Sequence, residues 1–214
     1  MPRRITPFIT QKYYHIFNRS LFKRPIFRKV RDINYFLGAT AYYRLQSLPV
    51  QYSKYSENRS KYTLDESQLA LSILGFVVMP THFHFVVQQR GEGGLVNFIK
   101  RLTNSFSHFY NIKYAQRGPV FESNFKAVHI DAEEQLMHVL RYVDLNPVTA
   151  HIINDPLIYH WSSFPNHIGR NQFRWIDNEF ILENFSGGSS YHTFVKDNQD
   201  YQRSLEKIKH LILE

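Results

Sequence analysis

Apolar residues recur along the chain with two periods, one of two residues and one of three to four. Tyr13-Tyr14-His15-Ile16-Phe17 is a short aromatic and β-branched run that predicts a first strand. Ile33, Phe36, Leu37 and Leu45 follow at near-helical spacing, with Asp32 in the place of an N-cap, so a helix is expected there. Pro49 to Thr63 is polar, rich in Tyr and Ser, and reads as a loop. Two apolar runs, Leu69 to Val78 and His82 to Val87, flank Met79-Pro80-Thr81 and predict two strands joined by a tight turn at Pro80. From Leu95 to Tyr110 the residues Leu95, Phe98, Ile99, Leu102, Phe106 and Phe109 recur at three and four, the mark of an amphipathic helix. After Gly118-Pro119, Phe125 to Ile130 reads as another strand. Asp131 and Glu134 then form a capping-box arrangement, and Leu136, Val139, Leu140 and Val143 predict a helix that Pro147 should stop.

The order is therefore β-α-β-β-α-β-α, which suits an α+β, ferredoxin-like fold: an antiparallel sheet with helices on one face. Beyond Trp161-Ser162-Ser163 the chain turns acidic and is interrupted at Ser186-Gly187-Gly188-Ser189-Ser190, before a helical pattern from Tyr201 to Leu213. This divides the chain into a catalytic domain over residues 1–169 and an accessory C-terminal helical tail over 170–214. A length of 214 residues suits one buried core plus an appendage.

Composition narrows the function classes. The absence of cysteine excludes a disulfide framework and a thiolate metal site, and fits a reducing cytoplasm. No run of 18 apolar residues exists, and the basic start lacks the apolar stretch of a signal peptide, so no membrane partner is expected. The net charge of +8 is unevenly placed. Residues 1–130 carry 19 Lys and Arg against 6 Asp and Glu, whereas residues 131–214 carry 7 against 12. The first 31 residues hold nine basic groups and no acid. Such a segment suits a polyphosphate backbone, although a solvated basic face explains the charge equally well.

Two spacings carry candidate chemistry. His82 and His84 lie two apart on an expected strand, so both imidazoles point to one face and can share a divalent ion. With 11 histidines in the chain the pair is no rarity, and two histidines on a covered sheet face remain the alternative. Tyr142 and Asn146 lie four apart on an expected helix and so share a face, where a hydroxyl and an amide oxygen can meet one ion or phosphate. Tyr14 and Asn18 repeat the spacing on a strand, where four residues span roughly 13 Å and cannot converge. From spacing alone, an ordinary amphipathic-helix tyrosine is the simpler account of Tyr142. Tyr110 and Tyr114 are rival nucleophiles, and Ser162 and Ser163 beside His160 lack an acid partner for a hydrolase triad.

A wider set of motifs then comes into line. Met79-Pro80-Thr81-His82-Phe83-His84 resembles the Met-Pro-Asn-His-x-His signature of the REP-associated tyrosine transposases, single-tyrosine members of the HUH superfamily of insertion-sequence type. Tyr14-His15 with Arg19 resembles that family's opening strand. Gly118-Pro119-Val120-Phe121 followed by Phe125-Lys126 resembles its Gly-Pro-Leu-Trp and Arg-Phe-Lys segments. Arg141-Tyr142-Val143-Asp144-Leu145-Asn146-Pro147-Val148 resembles Arg-Tyr-Ile-Glu-Leu-Asn-Pro-Val, and Tyr159-His160-Trp161-Ser162-Ser163 resembles Tyr-Pro-Trp-Ser-Ser. The matches run in order over residues 13–165. Thr81, Asn124, Thr149 and His151 depart from the pattern, and none of these departures removes a catalytic group.

The resemblance implies a DNA transposase and strand transferase with Tyr142 as nucleophile and His82, His84 and Asn146 around Mg²⁺ or Mn²⁺. Its substrate would be single-stranded or hairpin DNA, cut through a 5′-phosphotyrosine intermediate. Arg3, Arg4, Lys12, Arg19, Lys100, Arg101 and Lys126, together with Lys113, are the candidate backbone contacts. The protein is expected to act as a monomer or homodimer, in a bacterial cytoplasm at the nucleoid. Two other classes stay open on the residues alone. A non-catalytic nucleic-acid-binding module would tolerate loss of His82 and His84. A nuclease that uses water would need the histidines but not Tyr142.

Overall fold

The structure, a computed structural model, describes residues 8–122 and 124–198. The expected helix from Tyr201 to Leu213 lies outside them. Four strands, β1 (Tyr13–Arg19), β2 (Leu71–Met79), β3 (His82–Gln89) and β4 (Lys126–Ile130), form one antiparallel sheet in the order β2-β3-β1-β4. Because β3 separates β1 from β2, the sheet is built on a split βαβ unit, as the β-α-β-β-α-β order requires of a ferredoxin-like sheet. Pro80 and Thr81 make the tight turn between β2 and β3. The α+β class is as expected from the sequence.

Period-two alternation gives each strand two kinds of side chain. Ile16, Phe83, Phe85 and Val87 face one way, into a cluster with α1 (Val30–Tyr43) and α3 (Gly94–Lys113). Val86, Leu74, Val77 and Met79 face the other way, into a cluster with α4 (Glu133–Thr149). The helices therefore do not all lie on one face: α1 and α3 cover one and α4 the other. The reason lies in β2 and β3, which are buried over nearly their full lengths and so must be covered on both sides.

Local differences have local causes. Asp32 is not an N-cap but stands inside α1, reaching back to the Lys29 N–H at 3.1 Å. Its buried carboxylate is neutralised by Lys113 and accepts the Tyr114 hydroxyl at 2.8 Å. Leu45 lies past the helix and bridges Leu69. The expected loop Pro49–Thr63 contains the short helix α2 (Tyr52–Glu57) and a 3-10 turn, Arg59–Lys61. Pro147 does not stop α4, which runs on to Thr149; so near the C-terminus the missing proline N–H removes little helix. The capping box is not formed either: Ala132 is the cap residue, and Gln135 accepts the Asp131 N–H at 2.9 Å.

Residues after 160 close the outer edge of the sheet. The Trp161 carbonyl accepts the Val78 N–H, Val77 bridges Ser162, and Ile73 bridges Ile176. α5 (Phe164–His167), α6 (Glu179–Asn184) and α7 (Gly188–Lys196) then fold over α4, and Phe164, Phe180, Ile181, Tyr191 and Val195 are buried in its cluster. The part of the accessory tail that is described, 170–198, thus shares the core of the domain before it. No helix among the described residues is long and apolar enough to cross a membrane.

Candidate active site

The residues singled out by spacing meet on the α4 face of the sheet. β3 alternation turns His82 and His84 to that face, with ring centroids 5.1 Å apart. The antiparallel register of β1 sets Phe17 opposite His84 and Arg19 opposite His82. Above them, α4 presents Tyr142, whose ring stands edge-on to His84 at 5.8 Å and to His15 at 5.9 Å. One turn on, Asn146 stands beside the His82 ring, and its side-chain N–H reaches the Tyr142 carbonyl at 3.4 Å. α4 sits this low because β2 has Gly75 beneath it, where any Cβ would lie 2.7 Å from Leu140 Cδ2.

Burial decides the charge state of the histidines. His84 is held well below the usual histidine range, first by desolvation and then by the neighbouring His15, His82 and Arg19. His82 is lowered, first by burial and then by Arg19, with Asn146 acting in the opposite sense. His15 is lowered by burial to about 4. All three are neutral imidazoles near pH 7, the form that donates a lone pair to a metal.

The donor set fits a divalent ion. His82 Nδ1 lies 3.0 Å from the Thr81 hydroxyl, and His84 Nδ1 lies 2.9 Å from His15 Nε2. With each Nδ1–H donating to its neighbour, each Nε2 keeps its lone pair, the arrangement by which outer partners orient metal-binding histidines. Among the described residues no group of three or more His, Cys, Asp or Glu side chains is arranged to hold a metal. The Asn146 side chain, on the same helix face as Tyr142, offers an amide oxygen as a candidate third ligand. Two imidazoles and an amide oxygen suit Mn²⁺ at least as well as the harder Mg²⁺.

The other candidates are dispersed. Tyr110 and Tyr114 sit at the end of α3, across the sheet from the histidines, and Tyr110 is buried. Lys100 and Arg101 are exposed on α3, also on that far side. Lys113, on the same helix, is engaged by Asp32. Lys12 precedes β1 at the end away from Arg19, about 20 Å along the strand. Arg3 and Arg4 lie outside the described residues. Arg19 and Lys126 alone among the described candidate cations flank the site: Arg19 pairs across the strands with His82 and lies 3.9 Å from Glu122, while Lys126 pairs with Phe17 and holds its Nζ 5.9 Å from that ring. Ser163 is fully buried, which removes it as a nucleophile, and His160 is exposed away from it.

Sequence reasoning missed the part His15 plays against His84. Its signal was the same alternation that paired His82 with His84, since His15, Phe17 and Arg19 share one face of β1. Only the register of two strands some 69 residues apart converts that face into a site wall.

No family model and no curated protein matches the chain. Among solved structures it is similar to a REP-associated tyrosine transposase bound to a REP hairpin, at 12% identity and a TM-score of 0.58, over 81% of this chain and 88% of that one. A transposase candidate from Deinococcus radiodurans aligns at 11% identity over 67% of this chain and 96% of its own, but with a TM-score of 0.35 it bears no weight. At such identity the first likeness is one of fold: this chain shares the α+β fold of a REP-associated tyrosine transposase.

Proposed function

We propose that the chain is a metal-dependent, single-tyrosine DNA transposase that cuts and rejoins single-stranded or hairpin DNA, with Tyr142 as nucleophile and His82, His84 and Asn146 as ligands of Mg²⁺ or Mn²⁺. The observation that carries the reading is the convergence of a helical tyrosine on two neutral histidines, with Asn146 of the same helix face beside one of them. The shared fold with a transposase bound to a REP hairpin, and the ordered motif resemblance over residues 13–165, support it.

Bound between these ligands, a divalent ion supplies Lewis-acid polarisation of a phosphate oxygen. The chain's own residues do the remainder. Arg19 and Lys126 hold the phosphate backbone on either side of the histidines. A neutral phenol is a weak nucleophile, so the Tyr142 hydroxyl passes its proton to solvent water as its oxygen attacks phosphorus. The bond from phosphorus to the 3′ oxygen breaks, that oxygen takes up a proton, and the 5′ phosphate stays esterified to Tyr142. A second 3′-hydroxyl attacking this ester releases Tyr142 and joins strands. The ester conserves the bond energy, so no nucleotide triphosphate is needed.

The test uses single-stranded oligonucleotides drawn from the DNA flanking the chain's own gene, with Mn²⁺, and looks for a denaturant-resistant protein–DNA adduct. The wild-type protein should form one and Tyr142→Phe none, while Tyr110→Phe and Tyr114→Phe retain it. Cutting by Tyr142→Phe without an adduct would establish a water-using nuclease instead. No cutting by any form would leave a binding module.

A further inference from the structure

The face of α4 turned away from Tyr142 and Asn146 carries a second polar cluster, and nothing in the chemistry above uses it. Asp144 lies two residues from each of them and so projects to the other side of the helix. It is fully buried, yet its carboxylate is surrounded. Oδ2 accepts the Tyr191 hydroxyl at 2.7 Å and His167 Nδ1 at 2.8 Å, and Oδ1 lies 3.2 Å from the Ser163 hydroxyl. His167 places its other nitrogen, Nε2, 2.8 Å from the Leu74 carbonyl.

That carbonyl is available for a specific reason. Leu74 is the extra residue of a β-bulge, skipped between the pairs Ile73–Val87 and Gly75–Val86. With an acceptor at each ring nitrogen, His167 satisfies both only as the doubly protonated imidazolium, which is the charge Asp144 needs beside it. Burial opposes that charge, and Asp144 and the Leu74 carbonyl favour it, with the net effect of raising the His167 pKa. Ser163 also accepts the Phe76 N–H at 2.9 Å, which fastens the cluster to β2.

The cluster therefore ties four pieces together at one carboxylate: α4, the bulge of β2, α5 and α7. A buried ion pair of this kind stabilises little against an apolar replacement, but it has one geometry, whereas apolar packing tolerates sliding. Phe194 of α7 adds a second tie on the same helix, with the Arg141 guanidinium 4.3 Å from its ring centroid.

We propose that Asp144, His167, Ser163 and Tyr191 are positioning residues, which fix the height and rotation of α4 over the sheet and thereby aim Tyr142 at the histidines. The segment after residue 160 is on this account part of the reacting assembly, a role that rests on the transposase reading above. Asp144→Asn is the direct variant, but it strands a buried imidazolium and can unfold the protein. Tyr191→Phe removes one hydroxyl and keeps the ring. Val195→Ala is the comparator, because it thins the packing of the same helix and leaves the hydrogen bonds in place.

The measurement is the single-turnover rate of adduct formation on a labelled single-stranded oligonucleotide at saturating protein and Mn²⁺, with DNA affinity and melting temperature recorded in parallel. Tyr191→Phe should bind DNA as the wild type does and form the adduct about ten- to a hundredfold more slowly, as expected for a nucleophile displaced by a fraction of an ångström. Val195→Ala should melt at a lower temperature and keep the wild-type rate. A wild-type rate in Tyr191→Phe overturns the proposal, as does a slowing of both variants in proportion to lost stability. A wild-type protein that forms no adduct overturns the transposase reading, and this inference with it.

Discussion

On the face covered by α1 and α3, β3 presents Phe83 and Phe85, and these meet Phe36, Phe98 and Phe121 in a lattice of rings with centroids about 5 to 6 Å apart. On the face covered by α4, the same strand presents His82 and His84, and these meet Tyr142, Asn146, His15 and Phe17. One strand thus serves two layers by alternation. The aromatic layer is closed to solvent, while the other layer is lined with nitrogen and oxygen and is partly open: His84 and Asn146 are buried, but His15, Phe17, His82 and Tyr142 keep some exposure. Desolvation of the individual histidine rings is what keeps them neutral. Stability and chemistry are separated by a single residue step, and each expected outcome below can break that separation or sharpen it.

The largest effect sets neighbours on β3 against each other. Phe85→Ala removes a fully buried ring from the aromatic layer and should cost about 3 to 5 kcal/mol in urea unfolding. His84→Ala should cost only about 1 kcal/mol, the order of one hydrogen bond, yet abolish adduct formation. Equal losses of stability at the two positions would show that the layers are not divided in this way.

Acid comes next, acting on the histidine layer alone. A histidine whose folded pKa is lowered takes its proton more readily when unfolded, so its stability is present above the ordinary value of 6.5 and is lost as pH falls towards the folded value. For His15, lowered to about 4, that window runs from pH 6.5 to 4 and is worth about 3 kcal/mol. His82 and His84 add in the same direction. His167 acts oppositely: its raised pKa contributes stability below the ordinary histidine value, lost as pH rises through the raised one. Urea midpoints of the metal-free protein should fall between pH 6.5 and 4, and His15→Gln should flatten that fall. A wild-type midpoint level across this range would contradict desolvation of these histidine rings.

The close seat of α4 is tested by Gly75→Ala. The new Cβ meets the Leu140 Cδ2 methyl in a buried site, so that side chain must turn or the helix that carries it must rise, at a cost of about 1 to 3 kcal/mol. The adduct should form more slowly as well, because Tyr142 rides on that helix. Gly75→Ala combined with Leu140→Ala should recover part of both losses; purely additive losses would place the strain elsewhere.

Much of this was legible in the sequence because much of it is local. His82 with His84, and Tyr142 with Asn146, share faces through strand and helix periodicity alone, and the strand order follows from β-α-β-β-α-β. What was not legible is non-local. The single-face arrangement failed because a strand buried on both sides looks, over nine residues, like any apolar run. His15 against His84, and His167 against the Leu74 bulge, depend on register and on a skipped residue, neither of which leaves a periodic trace. The basic residues were the hardest to place, because charge along a chain carries no information about the face on which it ends.

Those cations supply the smallest and most local outcome. Lys126 and Arg19 border the histidine layer, whereas Lys100 and Arg101 sit beyond the aromatic layer on α3. A short single-stranded oligonucleotide spanning only the cleavage point cannot reach both sides of the sheet at once. Lys126→Ala should therefore weaken its binding about two- to fivefold and reduce the slope of log affinity against log salt by about one. Arg19→Ala should do less, since Glu122 at 3.9 Å already draws part of its charge. Lys100→Ala and Arg101→Ala should leave both affinity and adduct rate on that oligonucleotide unchanged. If the α3 variants weaken it as much as Lys126→Ala does, the strand crosses the aromatic face, and the assignment of DNA to the histidine layer alone is wrong.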